Sequence, residues 1–281
     1  MTKLTGTERT KRFYEEKGWT KEDGASVDHN LFGVKEDGPI RIQLYKLHMD
    51  RVRAGLASAG PGLNLLECGC GGNPDRQLID LCSRYTGVDF SEVGLDMARA
   101  SFADIGIPHE FRAADVCHLP FQDGAFDAVY SAHMIYHIED PQAQDAALAE
   151  FLRVVRPGGT VVLIAANPRP LAFPIRLIRR MLADTPGVGS LLNRFRSKSP
   201  IPYKPMPIGW MRQRLERGGG TASVVTYAIP STTFNQNVTE FKGVGKLLWK
   251  TIQWLDVNCP RLSAYLGNYV IYVCKKPGAG R

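Results

Sequence analysis

From residue 63 onward, short apolar runs alternate with stretches whose apolar residues recur at three- and four-residue spacing. The runs 63–68, 85–88, 110–113, 128–131 and 160–165 read as strands, and 75–84, 91–105 and 142–155 as helices. Such alternation predicts βαβ units, hence a parallel sheet covered on both faces. Val155-Arg156-Pro157-Gly158-Gly159 closes a helix and turns straight into the fifth strand. Ahead of this core, residues 40–60 form an amphipathic pattern that stops at Gly60-Pro61-Gly62.

The rhythm changes after Asn167. "RPLAFPIRLIRRMLADTPG" predicts a basic amphipathic helix, "LLNRFRSK" a shorter one and "SPIPYKPMP" an extended linker. A helix ("GWMRQRLERGGG"), a strand ("TASVVTYAIPS"), a helix ("VGKLLWKTIQWLDV") and a last strand ("NYVIYVCKKP") follow. Roughly forty residues are thus inserted between the fifth and sixth strands.

Composition narrows the class. With 281 residues, 44% hydrophobic and 22% charged, the chain can bury a full core. It has no uncharged apolar run of about 18 residues and no apolar leader, so neither a membrane-spanning helix nor an export signal is expected. The six cysteines lack a CxxC pair, which suggests a reducing, cytoplasmic compartment. The net charge of +7 is local: residues 169–217 hold eleven Lys/Arg against Asp184 and Glu216, leaving the remainder slightly acidic.

Four signals carry chemistry. "LLECGCGGNPD" ends the first strand on Glu67 and breaks into Gly69, Gly71 and Gly72, bringing bare backbone to the carboxyl edge of the sheet, where open α/β folds bind ligands. "YTGVDFS" ends the second strand on Asp89, placed to accept from ribose hydroxyls. In "RAADVCHLPFQDGAFDAVYS", Asp115 follows the third strand and can accept from an exocyclic amine. "FLRVVRPGGTVVLIA" is a helix, a tight turn and the fifth strand. Each alone is ordinary turn chemistry; together, in order, they define a site.

These motifs resemble the class I S-adenosylmethionine-dependent methyltransferases, in particular the ubiquinone- and menaquinone-biosynthesis type (methyltransferase type 11), over residues 60 to about 167. The resemblance implies a Rossmann-like α/β fold: a seven-stranded, mostly parallel sheet, its last strand antiparallel, with a helical cap between strands five and six. It implies an N-terminal helical lid (1–60), a cofactor-binding core (61–167), a basic helical cap (168–209) and a C-terminal completion of the sheet (210–281). S-adenosylmethionine is the implied cofactor. Glu67, Gly69 and Gly71 would meet its methionine end, Asp89 with Phe90 the ribose, Asp115 with Val116 the adenine, and Ser131 with Ala132 the sulfonium. A ligand bearing an ammonium and a sulfonium explains a carboxylate beside the glycines, which a phosphate would not tolerate. A NAD-dependent oxidoreductase is disfavoured by that acid and by Pro74, where G-x-G-x-x-G needs glycine. A non-catalytic binding module is disfavoured by the intact acids at 67, 89 and 115.

Methyl transfer asks the protein chiefly to align the acceptor and exclude water. Where the acceptor is acidic a general base helps, and "SAHMIYHIED" offers His133 and His137. A structural role for either histidine stays open, and the pair lacks a third ligand for a metal. Tyr14, Arg176 and Trp210 are candidate substrate contacts; Phe13, Tyr14 and Trp19 are candidates for a lid or for ordinary packing. The acceptor is expected to be a small or lipid-like molecule (a lipid, quinone or lipid-linked sugar among them). The cap, with Arg176, Arg179 and Arg180 among leucines and isoleucines, suits a solvated face, an anionic acceptor or peripheral contact with an anionic membrane. Nucleic acid is not expected. Oligomeric state and the atom methylated are not legible.

Overall fold

The computed structural model describes residues 6–22, 25–28, 39–170, 201–226 and 243–278. The expected cap helix with Arg176 lies outside the described residues.

Seven strands form one sheet: β3 (Leu63–Cys68), β4 (Cys82–Asp89), β5 (His109–Ala113), β6 (Phe126–Ala132), β7 (Val155–Ala166), β8 (Thr221–Thr226) and β9 (Tyr269–Lys275). Their order is β5-β4-β3-β6-β7-β9-β8, and only β9 runs antiparallel to its neighbours. Chains leave β3 towards β4 on one side and return to β6 on the other, so a crevice opens at the carboxyl end of β3. β3 is buried on both faces, which is why its sequence is a continuous apolar run.

Helices cover both faces. On one, α2 (Pro39–Ala57) and α3 (Glu92–Ser101) set Met49, Val52, Leu56, Leu95 and Ala98 against Leu65, Tyr85 and Tyr130. On the other, α4 (Pro141–Val154), α5 (Ile208–Leu215) and α7 (Pro260–Leu266) contribute Leu148, Phe151, Met211, Leu215 and Ala264. α6 (Val244–Asn258) precedes α7. The helix starts are legible: the Ser91 hydroxyl accepts from Gly94 N–H, and the Asp140 carboxylate accepts from Gln142 N–H ahead of Pro141. Among the described residues no helix is long and apolar enough to cross a membrane.

Three expectations need correction. Residues 75–84 are not a helix but a short 3-10 turn, Arg76–Leu81, because pairing with β3 already claims Cys82 and Arg84 as strand. β7 begins at Val155 rather than at 160: Val155 pairs with Phe126 and Thr160 with Ala128, and 156–159 bulge out with Gly158 at φ +76°. The amino-terminal region, expected to be helical with a turn-rich interruption, holds a strand pair in that interruption. After α1 (Gly6–Phe13) and a π-helical turn, β1 (Trp19–Glu22) and β2 (Ala25–Asp28) form a hairpin.

Candidate active site

Glycines shape the loop after β3. Gly69 and Gly71 take φ of +74° and +54°, a left-handed conformation that side chains resist. The N–H groups of Gly69 and Cys70 both donate to the Val88 carbonyl, at 2.8 and 3.1 Å, folding the loop back over β4. A Cβ on Gly71 would collide with the Trp19 indole, and one on Gly72 or Gly94 would press against it. A Cβ on Gly69 would strike Met134. The N-terminal segment therefore seats Trp19 on the glycine loop, and Tyr14 packs edge-on against Phe90 with ring centroids 6.4 Å apart. Arg9 ties the same segment to Glu139, beyond β6, at 2.9 Å.

Three acids stand at successive strand tips, and because the strands neighbour one another as β5-β4-β3, the row runs Asp115, Asp89, Glu67. Asp89 is buried, and its two oxygens accept from Gly71 N–H and Ser91 N–H, both at 2.9 Å. It thereby joins the glycine loop to the start of α3. Asp115 is exposed and accepts from Cys117 N–H at 2.9 Å, with Val116 half-buried beside it.

Glu67 is 5% exposed. Its Oε2 accepts from the Tyr85 hydroxyl at 2.5 Å and from Asp75 N–H at 3.2 Å. Burial, and after it the neighbouring Asp75 carboxylate, push the Glu67 carboxyl up to about 8 against the pull of those hydrogen bonds. At neutral pH it is mostly protonated. No Lys or Arg stands between Gly69 and Asp75, and the next base, Arg76, is paired with Asp104. The donor set fits a cationic ligand and offers no charged partner to a pyrophosphate.

The row continues across β3 to the end of β6. The Ser131 hydroxyl donates to the Cys68 carbonyl at 2.8 Å, so it links the two strands, and half-buried Ala132 follows. His133 has φ +58°, unlike any other described non-glycine residue, held by its N–H bond to the Ile164 carbonyl at 3.0 Å. Its Nδ1 lies 3.2 Å from the Tyr136 hydroxyl, and Tyr269 meets its ring edge-on at 4.7 Å. Burial, with His48 and His137 nearby, lowers the imidazole to about 3, so it is neutral. His137 donates from Nδ1 to the Pro202 carbonyl at 2.7 Å, anchoring the segment that brings Tyr203 against Tyr136.

The structure brings Glu67, the glycines, Asp89, Phe90, Ser131, Ala132, His133, His137 and Tyr14 to one sheet edge. Trp210 packs against the core beneath the Arg214 guanidinium, at 3.7 Å. Sequence reasoning missed Tyr136, Tyr269 and His48. Tyr136 lay within the quoted motif and was legible as a hydroxyl three residues from His133. Tyr269 arrives through the antiparallel pairing of β9 with β7, where it faces Ala166, and no short-range pattern announces that.

Residues 66–163 match the family model of a methyltransferase domain. A ubiquinone biosynthesis O-methyltransferase from Xanthomonas campestris is 32% identical over 146 residues, covering 50% of this chain and 59% of the relative. A 2-methyl-6-phytyl-1,4-hydroquinone methyltransferase from Synechocystis is 32% identical over 182 residues, covering 59% and 56%. A fatty-acid O-methyltransferase from Mycolicibacterium smegmatis is 32% identical over 169 residues, covering 55% and 57%. The chain thus spans between 56% and 59% of the length of these curated relatives. Among solved structures, an S-adenosylmethionine-dependent methyltransferase from Mesorhizobium loti superposes with TM-score 0.50 at 20% identity, covering 81% of this chain and 96% of the other. That likeness is one of fold. Together the findings support the resemblance carried by the motifs, a class I S-adenosylmethionine-dependent methyltransferase domain of the quinone-biosynthesis type.

Proposed function

We propose that this protein transfers the methyl group of S-adenosylmethionine to a small, lipid-like acceptor. The observation that carries the reading is the row Asp115, Asp89, Glu67 at adjacent strand tips, leading directly to the His133–Tyr136–Tyr269 cluster. Three of the relatives are named for a ubiquinone-pathway compound, a phytylated hydroquinone and a fatty acid, which supports an acceptor with a polar head and an apolar body.

When bound, the cofactor supplies an electrophilic methyl on a sulfonium for in-line displacement. In the proposed roles, Glu67 gives up its proton and faces the ammonium from behind the Gly69–Gly71 loop. Asp89 accepts from the ribose beside Phe90, and Asp115 with Val116 meets the adenine. Trp19 and Tyr14 exclude water from above the loop. The acceptor hydroxyl is set against His133, which takes its proton at Nε2 when Nδ1–H donates to Tyr136. His137 holds the Pro202 segment that walls this side. Ala132 and the Ser131–Cys68 link keep the tip of β6 at fixed height. The basic segment 168–209, with Arg176, is assigned to the acceptor side and to an anionic lipid surface.

Isothermal titration with S-adenosylmethionine and with NAD tests the cofactor, and S-adenosylhomocysteine release with hydroquinone, phenol and fatty-acid acceptors tests the transfer. Tight binding of NAD with none of S-adenosylmethionine would reject the proposal in favour of an oxidoreductase. Cofactor binding without turnover on every acceptor would favour a non-catalytic module.

A further inference from the structure

Seven of the ten large apolar side chains exposed among the described residues lie on α6 and α7. On α6, Val244, Leu247, Leu248 and Trp254 recur at helical spacing and form one stripe, Leu247 being 68% and Trp254 59% exposed. A separate face, about a third of a turn away, buries Gly245, Ile252 and Asp256. α7 adds Leu262 and Tyr265. A helix with apolar residues on both faces has one stripe for its own core and one left over.

The charges around this second stripe have one sign. Lys246, Lys250 and Arg261 are exposed, and α6 and α7 hold a single acid, Asp256. That acid is turned inward: its carboxylate pairs with Arg51 at 3.3 Å, and Arg51 also donates to the Asp256 and Thr226 carbonyls at 3.0 and 2.7 Å. The exposed surface of the two helices therefore combines aromatic and branched apolar groups with three cations and no anion.

We infer that the α6–α7 face docks on an anionic lipid surface. Charge selects that occupant. A second copy of this chain would set Lys246 and Lys250 against their own symmetry mates across a two-fold. Cover by the chain's own basic segment would set Arg176, Arg179 and Arg180 against cations of the same sign. A lipid interface satisfies both features at once: the stripe enters the acyl boundary while Lys246 and Lys250 stay among the headgroups. The face is continuous with the acceptor side of the site. Asn167 donates to the Tyr265 and Gly267 carbonyls at 3.0 and 2.9 Å, and Tyr269, four residues after Tyr265, packs on His133. The inference rests on the lipid-like acceptor proposed above for its purpose, and on residues outside the cofactor site for its evidence.

The test is co-sedimentation with phosphatidylglycerol–phosphatidylcholine vesicles, against phosphatidylcholine alone. The intact protein is expected to bind the anionic vesicles at low salt and to lose them as salt rises. Its tryptophan emission should shift to the blue on binding, and less so in Trp254→Phe. Lys246→Glu with Lys250→Glu should weaken binding by roughly thirtyfold or more, each lysine being worth about a factor of five. Leu247→Ser with Trp254→Ser should abolish it. All these variants should bind S-adenosylhomocysteine like the parent, so failure on vesicles leaves the methyl-transfer reading standing. Four results would overturn the inference: no binding by the parent, equal binding by every α6 variant, loss confined to Arg179→Glu with Arg180→Glu, or a dimer that Leu247→Ser with Trp254→Ser dissociates in the absence of vesicle binding.

Discussion

The Tyr136 hydroxyl lies 3.2 Å from His133 Nδ1, and the direction of that contact bears on which ring nitrogen carries the proton. If the hydroxyl donates, Nε2 carries the proton and cannot serve as a base; if Nδ1–H donates, Nε2 presents a lone pair. A base at His133 requires the second arrangement. His133→Asn should lower turnover by up to about 10²-fold with cofactor affinity unchanged, the low end for a general base because an imidazole lowered to about 3 is a weak one. Asparagine is the informative replacement because it tolerates φ +58° better than alanine. With the imidazole lowered to about 3, kcat/KM should show no inflection near 6.5 from this group. His137→Ala should instead cost about 1–3 kcal/mol of stability through the orphaned Pro202 carbonyl, measured by urea unfolding.

Glu67 makes the ligand-free protein sensitive to alkali. Its carboxyl is raised from the ordinary 4.5 to about 8, so the native state holds a proton there that the unfolded chain has lost. The stability this contributes is complete below about pH 4.5 and disappears as pH rises through about 8. The melting temperature of the free protein is expected to fall between about pH 4.5 and 8 and to level off above that, and Glu67→Gln should flatten that fall. Binding of a cationic cofactor should release close to one proton near pH 7. Titration calorimetry in phosphate and in Tris checks this, since the apparent enthalpies then differ by the buffers' ionisation heats.

The strands that frame the site were legible because parallel strands buried on both faces, such as Leu63–Cys68, spell continuous apolar runs. Glu67 and Asp89 were legible because each lies at the end of such a run, and Asp115 because it follows the next strand in the alternation. Residues 75–84 misled because Leu78, Ile79 and Leu81 mimic helical spacing, whereas ladder pairing of Cys82 and Arg84 with β3 is non-local and wins. The cluster around His133 was half legible. Tyr136 is near in sequence, but Tyr269 reaches it from 136 positions away through the antiparallel β9. The seat of Trp19 on Gly71 is likewise a tertiary contact, visible beforehand only as an aromatic in a charged segment.

Arg51 fastens α6 to the body of the fold. Asp256 is buried, and burial raises its carboxyl while Arg51 holds it down. Arg51→Ala strands that carboxylate and should cost about 3–5 kcal/mol in urea unfolding. Arg51→Met with Asp256→Leu should recover most of the loss, since a buried pair replaced as a whole leaves no orphaned charge.

Gly71 and Gly62 separate two effects that glycines usually confound. Both have a left-handed backbone, with φ +54° and +61°. A methyl group on Gly62 would find its nearest neighbour at 3.8 Å, whereas one on Gly71 would run into Trp19. Each alanine therefore carries about 1–2 kcal/mol of backbone strain, and only the second also dislodges the indole. Gly62→Ala should lower the unfolding midpoint and leave S-adenosylhomocysteine affinity as it was. Gly71→Ala should weaken that affinity at least about tenfold, because the N–H it gives to Asp89 at 2.9 Å fixes the acid proposed to meet the ribose. Its tryptophan emission should also shift to the red as Trp19 leaves the loop. Equal affinities in the two variants would mean that the close approach of Trp19 to the glycine loop has no bearing on the cofactor.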